Sequence, residues 1–216
     1  MNIWTIFSDS EIFKIEEELK LLKEKKLQQE QEHARLVEYE KQFLLESDAV
    51  IIAMLHPVVK VMVRKTLVKA GQTGLKVGIY MGIRTFKRQA ELYALGRKQV
   101  NGVWQVTNQK EVVTNALPGY SWHNHALAAD IVMDGSPRPG LQPSWGAFKD
   151  ANGDKVNDWT QLGEIGESFG LTWGGRWKKP VPVDAPHFQY HGDLTIEDAL
   201  ALYKFGGLDA VWERVV

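Results

Sequence analysis

SWHNHALAAD, Ser121 to Asp130, sets His123 and Asp130 seven positions apart at a turn that feeds an apolar run. A histidine and an aspartate in that setting form a metal-ligand pair that lacks a third partner. The best partner lies far downstream in VDAPHFQY, where Asp184 and His187 stand three apart at the start of another short apolar run. Two His and one Asp converging from separate segments leave a zinc ion one open position for water, which is the arrangement of a hydrolytic zinc site. The remaining sequence can be read for the elements that would hold these side chains together.

The chain has 216 residues and is 44% hydrophobic, enough for one sizeable core and, if one end is non-globular, no second one. A formal charge of -1, from 26 basic and 27 acidic residues, gives no electrostatic footprint for nucleic acid. The absence of cysteine excludes disulfides, thiolate zinc sites and cysteine-nucleophile peptidases. MNIWTIFSDSEIF carries an apolar burst but lacks the basic start, long apolar centre and small-residue cleavage site of a secretory signal. No stretch approaches the roughly twenty apolar residues of a membrane span, so action outside the cytoplasm would need another route of release.

From Ser8 to about Glu46 the chain is dense in Glu, Lys and Gln and free of Gly and Pro, which predicts a long helix. Ile12, Ile15, Leu19 and Leu22 follow an apolar 3-4-3 spacing, but Lys26, Gln29 and His33 occupy the next seam positions. Residues 1–47 therefore read as a charged helical arm able to self-associate at its first turns, and 48–216 as the globular domain. His56-Pro57 opens VVKVMVRKTLVKAG, a helix with Pro in its first turn and Gly71 at its close, and His56 reads as a helix-entry residue. LKVGIYMGI, 75–83, is β-rich and ends at Arg84, and Thr85 is an N-cap for FKRQAELYALGRK. Arg84 thus stands at a strand-to-helix junction, where a side chain can be aimed into a cleft.

Residues 98–119 form a long connection with short strands around Trp104, and AADIVM, 128–133, is a buried strand. In DANGDKVNDW, Asp150, Asn152, Asp154 and Asp158 match positions 1, 3, 5 and 9 of a calcium loop, whereas Lys155 and Gln161 stand where such a loop wants Gly and Glu. Asx turns capping the next helix are the competing reading, with calcium as the alternative. LGEIGESFG is a helix ending at Gly170. LTWGGRWKKPVPVDAPHFQY reads as strand, glycine turn, proline-stiffened loop and strand, and 193–216 as C-terminal helices with Thr195 and Asp198 as a capping pair.

Five separated stretches, GIRTFKRQAELYALGR, VTNA, SWHNHALAAD, LTWGGRW and DAPHFQ, run in an order that resembles the zinc peptidases of peptidoglycan peptides. These include D-Ala-D-Ala carboxypeptidases and dipeptidases, and the resemblance is strongest to the L-alanyl-D-glutamate endopeptidases of bacteria and phage endolysins. It covers about 55–191 and implies an α+β fold of the hedgehog and D-Ala-D-Ala-peptidase kind, with a small antiparallel sheet flanked by helices. Ala126 departs from the usual glycine, His125 stands where an aromatic is common, and Arg176 occupies an often acidic position.

By motif position the resemblance implies His123, Asp130 and His187 as zinc ligands, Asp184 as general base and Arg84 as stabiliser of the developing oxyanion. Ser121 and His125 are candidate substrate contacts. Gln89 and Tyr93 fall on the helix behind Arg84, Trp173 and Trp177 are candidates for a groove wall or a floor under the site, and His191 reads as a surface residue. The activity implied is hydrolysis of the L-Ala-D-Glu bond of stem peptides by a phage or prophage endolysin released through a holin-made lesion. A D,D-carboxypeptidase or dipeptidase with the same metal site is the alternative, although those relatives favour Glu at the position of Asp184 and a bulky aromatic where this chain has Pro186. A zinc-containing wall-binding module without turnover and a structural virion component are further alternatives, and the first is disfavoured by the presence of both Asp184 and Arg84.

Overall fold

A computed structural model of the chain describes residues 9–44, 46–134, 143–144, 150–178 and 183–215. Two compact units divide between Gln42 and Phe43, a few residues before the expected boundary at 47. Every described residue of the first unit lies in helix α1, Asp9–Phe43. With neither Gly nor Pro to interrupt it, the helix runs for 35 residues. Its apolar row remains in solvent, Ile15, Leu19 and Leu22 being 43%, 50% and 60% exposed.

The second unit is α+β, as expected. It begins with α2 (Glu46–Ala53) and α3 (Pro57–Gln72). Pro57 sits in the first turn of α3, and His56 caps it by accepting the Val58 N–H at its Nδ1 (3.2 Å). Gly71 lies within this helix and does not end it; Thr73 is the cap. Strand β1 (Val77–Met81) leads to α4 (Phe86–Ala94), whose cap Thr85 accepts the Arg88 N–H at 3.1 Å. The connection after α4 is more ordered than the sequence suggests. Strands β2 (Arg97–Val100) and β3 (Val103–Val106) pair around Asn101-Gly102, both at positive φ, a two-residue hairpin turn.

Strand β4 (Ala128–Asp134) is the centre of a five-stranded antiparallel sheet ordered β1-β4-β7-β6, with β5 (Pro143–Ser144) also pairing β4. Strands β6 (Thr172–Trp173) and β7 (His187–Gln189) complete it. Buried on nearly every residue, β4 lies beneath the core formed by Val59, Val63 and Leu67 of α3 and by Leu162 of α5 (Asp158–Ser168). Helix α6 (Ile196–Trp212) starts with the Thr195 and Asp198 capping box and breaks at Gly206 and Gly207, so it comprises two helical pieces.

The acidic loop before α5 takes the Asx-turn alternative and does not form a calcium loop. Its side-chain oxygens already accept N–H groups: Asp150 from Lys155, Asn152 from Asp154, Asp154 from Val156 and from the Gln161 amide, and Asp158 from Ala151. Asn157 caps α5. Among the described residues these side chains form no group of three or more donors close enough to hold a cation.

Candidate metal centre

Three pieces of backbone meet at β4. A short 3-10 turn, Trp122–His125, presents His123 just before the strand; Asp130 lies within it; and His187 is the cross-strand partner of Asp130 at the start of β7. Ala126 ends the turn at φ 58°, which explains why glycine is common there in the resembling family. On the other side of β4 the register slips between Ile79 and Met81, so that Tyr80 is extra and Met81 pairs with Asp130. A bulge of this kind re-aims the strand end beside a site. Here the Gly82 carbonyl accepts a hydrogen bond from His123 Nδ1–H at 2.7 Å.

His123 Nε2, Asp130 Oδ1 and His187 Nδ1 form a nearly equilateral triangle with edges of 3.1, 3.2 and 3.3 Å. Donors around a tetrahedral zinc at about 2.0–2.2 Å stand roughly 3.3–3.6 Å apart. Because carbonyl and amide oxygens hold the other ring N–H of each histidine, the lone pairs of His123 Nε2 and His187 Nδ1 converge with the carboxylate oxygen. A cation at their centre would satisfy all three at once, so the donor set fits zinc. Among the described residues this is the one group of three or more acidic or imidazole side chains so arranged.

Burial alone would raise the Asp130 carboxyl, but the charge and hydrogen bonds of His123 and His187 outweigh it and hold the group well below the carboxylate range. Burial disfavours protonated His187, yet its bond to Asp130 and the Asp130 charge keep it above the ordinary histidine value.

Arg84 and Asp184 flank the triangle. Burial lowers the Arg84 guanidinium, with the Asp130 charge opposing it. The group is held by Nη1–H to Gln89 Oε1 (3.0 Å) and by an ion pair from Nη2 to Asp130 Oδ2 (3.7 Å). Fully buried Gln89 is fixed in turn by donating to Ala116 O and Thr114 Oγ1. Asn124 binds the whole corner: it donates to Arg84 O and accepts Gly119 N–H, while Arg84 N–H donates to His123 O.

Asp184 lies at the exposed rim. Enough protein surrounds its carboxyl that desolvation pushes its pKa up, and it interacts with the charges of His187, Asp130, His123 and Arg84. The turn carrying it is fixed from both sides. Asp184 N–H donates to Gly174 O, His187 N–H to Asp184 O, and the Trp173 indole N–H to Ala185 O at 2.7 Å.

Trp173 is therefore a buried floor, whereas half-buried Trp177 tilts against the His187 ring, centroids 5.1 Å apart. Arg176 is exposed and spends its guanidinium on Glu167 and Glu164. The structure brings His123, Asp130, His187, Arg84 and Asp184 together, but not His125. His125 is 0% exposed, bonds Gly119 O through Nε2 and packs among Phe86, Trp122 and Tyr203, so it is a core residue. Half-buried Ser121 opens the turn and makes no capping bond through its hydroxyl. His191 stacks flat on Trp122 at 4.2 Å, and His56 is held by Trp212 O. Gln189, Gly174 and Asn124 were not singled out from the sequence. Gln189 alone left a signal, since residues two apart on a strand share a face.

Two histidines and an aspartate at zinc-ligand spacing, beside an arginine and the Asp184 carboxylate, make a candidate single-metal site on an antiparallel sheet, the class to which metallohydrolases belong. The D-alanyl-D-alanine carboxypeptidase family profile matches residues 114–190, a span that contains all three donors and Asp184. The chain is 36% identical over 138 residues to the peptidoglycan L-alanyl-D-glutamate endopeptidase CwlK of Bacillus subtilis, covering 62% of this chain and 72% of that protein. Among solved structures, the L-Ala D-Glu endopeptidase ChiX of Serratia marcescens aligns with a TM-score of 0.46 at 20% identity, over 72% of this chain and 91% of that one. The LD-carboxypeptidase LdcB aligns with a TM-score of 0.43 at 16% identity, over 75% and 70%. The chain belongs to this family of peptidases.

Proposed function

We propose that the chain is a zinc-dependent peptidoglycan hydrolase that cuts the L-Ala-D-Glu bond of stem peptides. The observation that carries the reading is the triangle of His123 Nε2, Asp130 Oδ1 and His187 Nδ1, whose edges suit a tetrahedral ion. The 36% identity to an L-alanyl-D-glutamate endopeptidase supports the choice of bond. His123, Asp130 and His187 would hold the zinc, which when bound supplies a Lewis acid that polarises the scissile carbonyl and makes water a better nucleophile near neutral pH.

The remaining work falls to side chains. Asp184, uncommitted to any ligand role, accepts the proton of the attacking water and returns it to the amine of D-Glu as the bond breaks. Its position at the rim lets it reach both water and leaving group, and the partial desolvation that raises its pKa makes it a stronger base than a solvated aspartate. Arg84 stabilises the negative charge that grows on the carbonyl oxygen. Its guanidinium is already fixed by Gln89 and Asp130, so little reorganisation accompanies that charge.

The setting that fits a wall-cutting peptidase of this make-up is a phage or prophage lysis system, with release through a holin-made lesion. Accumulation in the periplasm of cells without any lysis genes would contradict it. Two synthetic peptides test the bond: one offering only L-Ala-D-Glu, the other ending in D-Ala-D-Ala. Cleavage of the first alone, proportional to zinc content, is the expected outcome. Release of D-Ala from the second alone would assign the D,D-carboxypeptidase alternative, and zinc binding without cleavage of either would assign a binding module.

A further inference from the structure

We propose that Gln189 is a positioning residue of the metal centre, whose side-chain oxygen selects the His187 tautomer that turns Nδ1 toward His123 and Asp130. The inference rests on the zinc reading above and adds to it the group that decides which nitrogen of His187 serves.

The two histidines offer different ring atoms. His123 presents Nε2 because its Nδ1–H is held by a backbone carbonyl, Gly82 O, at 2.7 Å. His187 is reversed: Nδ1 lies 3.3 Å from Asp130 Oδ1 and 3.2 Å from His123 Nε2, while Nε2 lies 2.9 Å from Gln189 Oε1. An amide oxygen only accepts, so Nε2 keeps its proton and Nδ1 is the nitrogen left with a lone pair for a metal.

The strand geometry makes this contact natural. His187 and Gln189 are two apart on β7 and share a face. Pairing locks the β7 backbone on both edges, with Gln189 opposite Ala128 of β4 and Thr172 of β6. Both side chains are buried, at 7% and 8% exposure, so water is a poor substitute for the amide oxygen. Without that acceptor the Nε2–H would be stranded, and a ring turn or tautomer exchange that relieves it would withdraw Nδ1 from the triangle.

Competition between the full-length protein and a chromophoric zinc chelator tests the idea on wild type, Gln189→Leu and Gln189→Glu. Leu removes the acceptor at similar size, and Glu restores it. The expected result is zinc affinity weakened about 10–100-fold in Gln189→Leu, the range for loss of an outer partner of a ligating histidine, and recovered in Gln189→Glu. Long-range proton–nitrogen NMR of zinc-loaded wild type, labelled at histidine, is the second measurement and needs no variant to fold. It should show a protonated Nε2 and a metal-bound Nδ1 for His187. Equal zinc affinity in wild type and Gln189→Leu, or metal bound at Nε2, would overturn the proposal while leaving the zinc site standing. Failure of wild type to bind zinc at all would instead remove the zinc reading, and this proposal with it.

Discussion

Gly174→Ala should disable the enzyme from outside the set of reacting groups. Gly174 faces the turn from Asp184 to His187, and a Cβ there would lie 2.5 Å from the Asp184 backbone oxygen, 3.2 Å from His187 Cβ and 3.3 Å from Asp184 Cβ. Ordinary contact begins at 3.4 Å, so the turn must retreat by about 0.9 Å at its carbonyl. That atom is backbone and carries the bond from His187 N–H, so no side-chain rotation relieves the clash. The retreat moves the proposed base and one proposed ligand together. Misplacement of about 1 Å can reduce turnover on the order of 100-fold, and overpacking costs about 1–3 kcal/mol of stability. Initial rates of fragment release from purified peptidoglycan, read beside a thermal melt, would check both. Turnover within about twofold of wild type would refute the reasoning, because a loss of order 100-fold is expected from the displacement.

Asp184→Asn should lower kcat by about 10²–10⁴, the usual contribution of a general base, with zinc content unchanged, as metal analysis beside kinetics would show. Zinc binding should release protons near pH 6 and tighten as pH rises. The His187 pKa is raised in the metal-free fold, so the stability its proton confers is fully present below the unfolded value of about 6.5 and lost as pH climbs through the higher folded value. Calorimetry in buffers of differing ionisation enthalpy measures that release, and its absence near pH 6 would contradict the Asp130 and His187 pairing. The arm is proposed to self-associate through the exposed Ile15, Leu19 and Leu22 row. Sedimentation of the full chain and of 43–216 should then show a larger assembly only with the arm, and equal masses per chain would dismiss the idea.

The convergence of His123, Asp130 and His187 was legible because these residue types sit on or beside strands, where a turn or a cross-strand register fixes direction. Neighbouring His125 shows the limit of that signal. It has the same chemistry two positions on, but a tight turn sends successive side chains to different places, and this one entered the aromatic core. The acidic loop offered the spacing of a cation site, but its side chains form Asx turns and do not converge as a group of donors, a matter of loop dihedrals that spacing does not encode. Gly71 shows a similar limit in a helix. A glycine inside a helix costs only about 1 kcal/mol relative to alanine, and the buried side of α3, Val59, Val63 and Leu67, offsets it, so the helix continues to Gln72. Gln189 was missed because its role depends on which nitrogen of His187 faces the metal, and that follows from three-dimensional pairing.

The most direct test of the central claim is mass spectrometry of soluble products from intact peptidoglycan after labelling of new amino termini, with and without a zinc chelator. New α-amino groups on D-Glu that disappear with chelator and return with added zinc are the result expected from this site. Free D-Ala in their place, or D-Glu termini that persist without zinc, would contradict it.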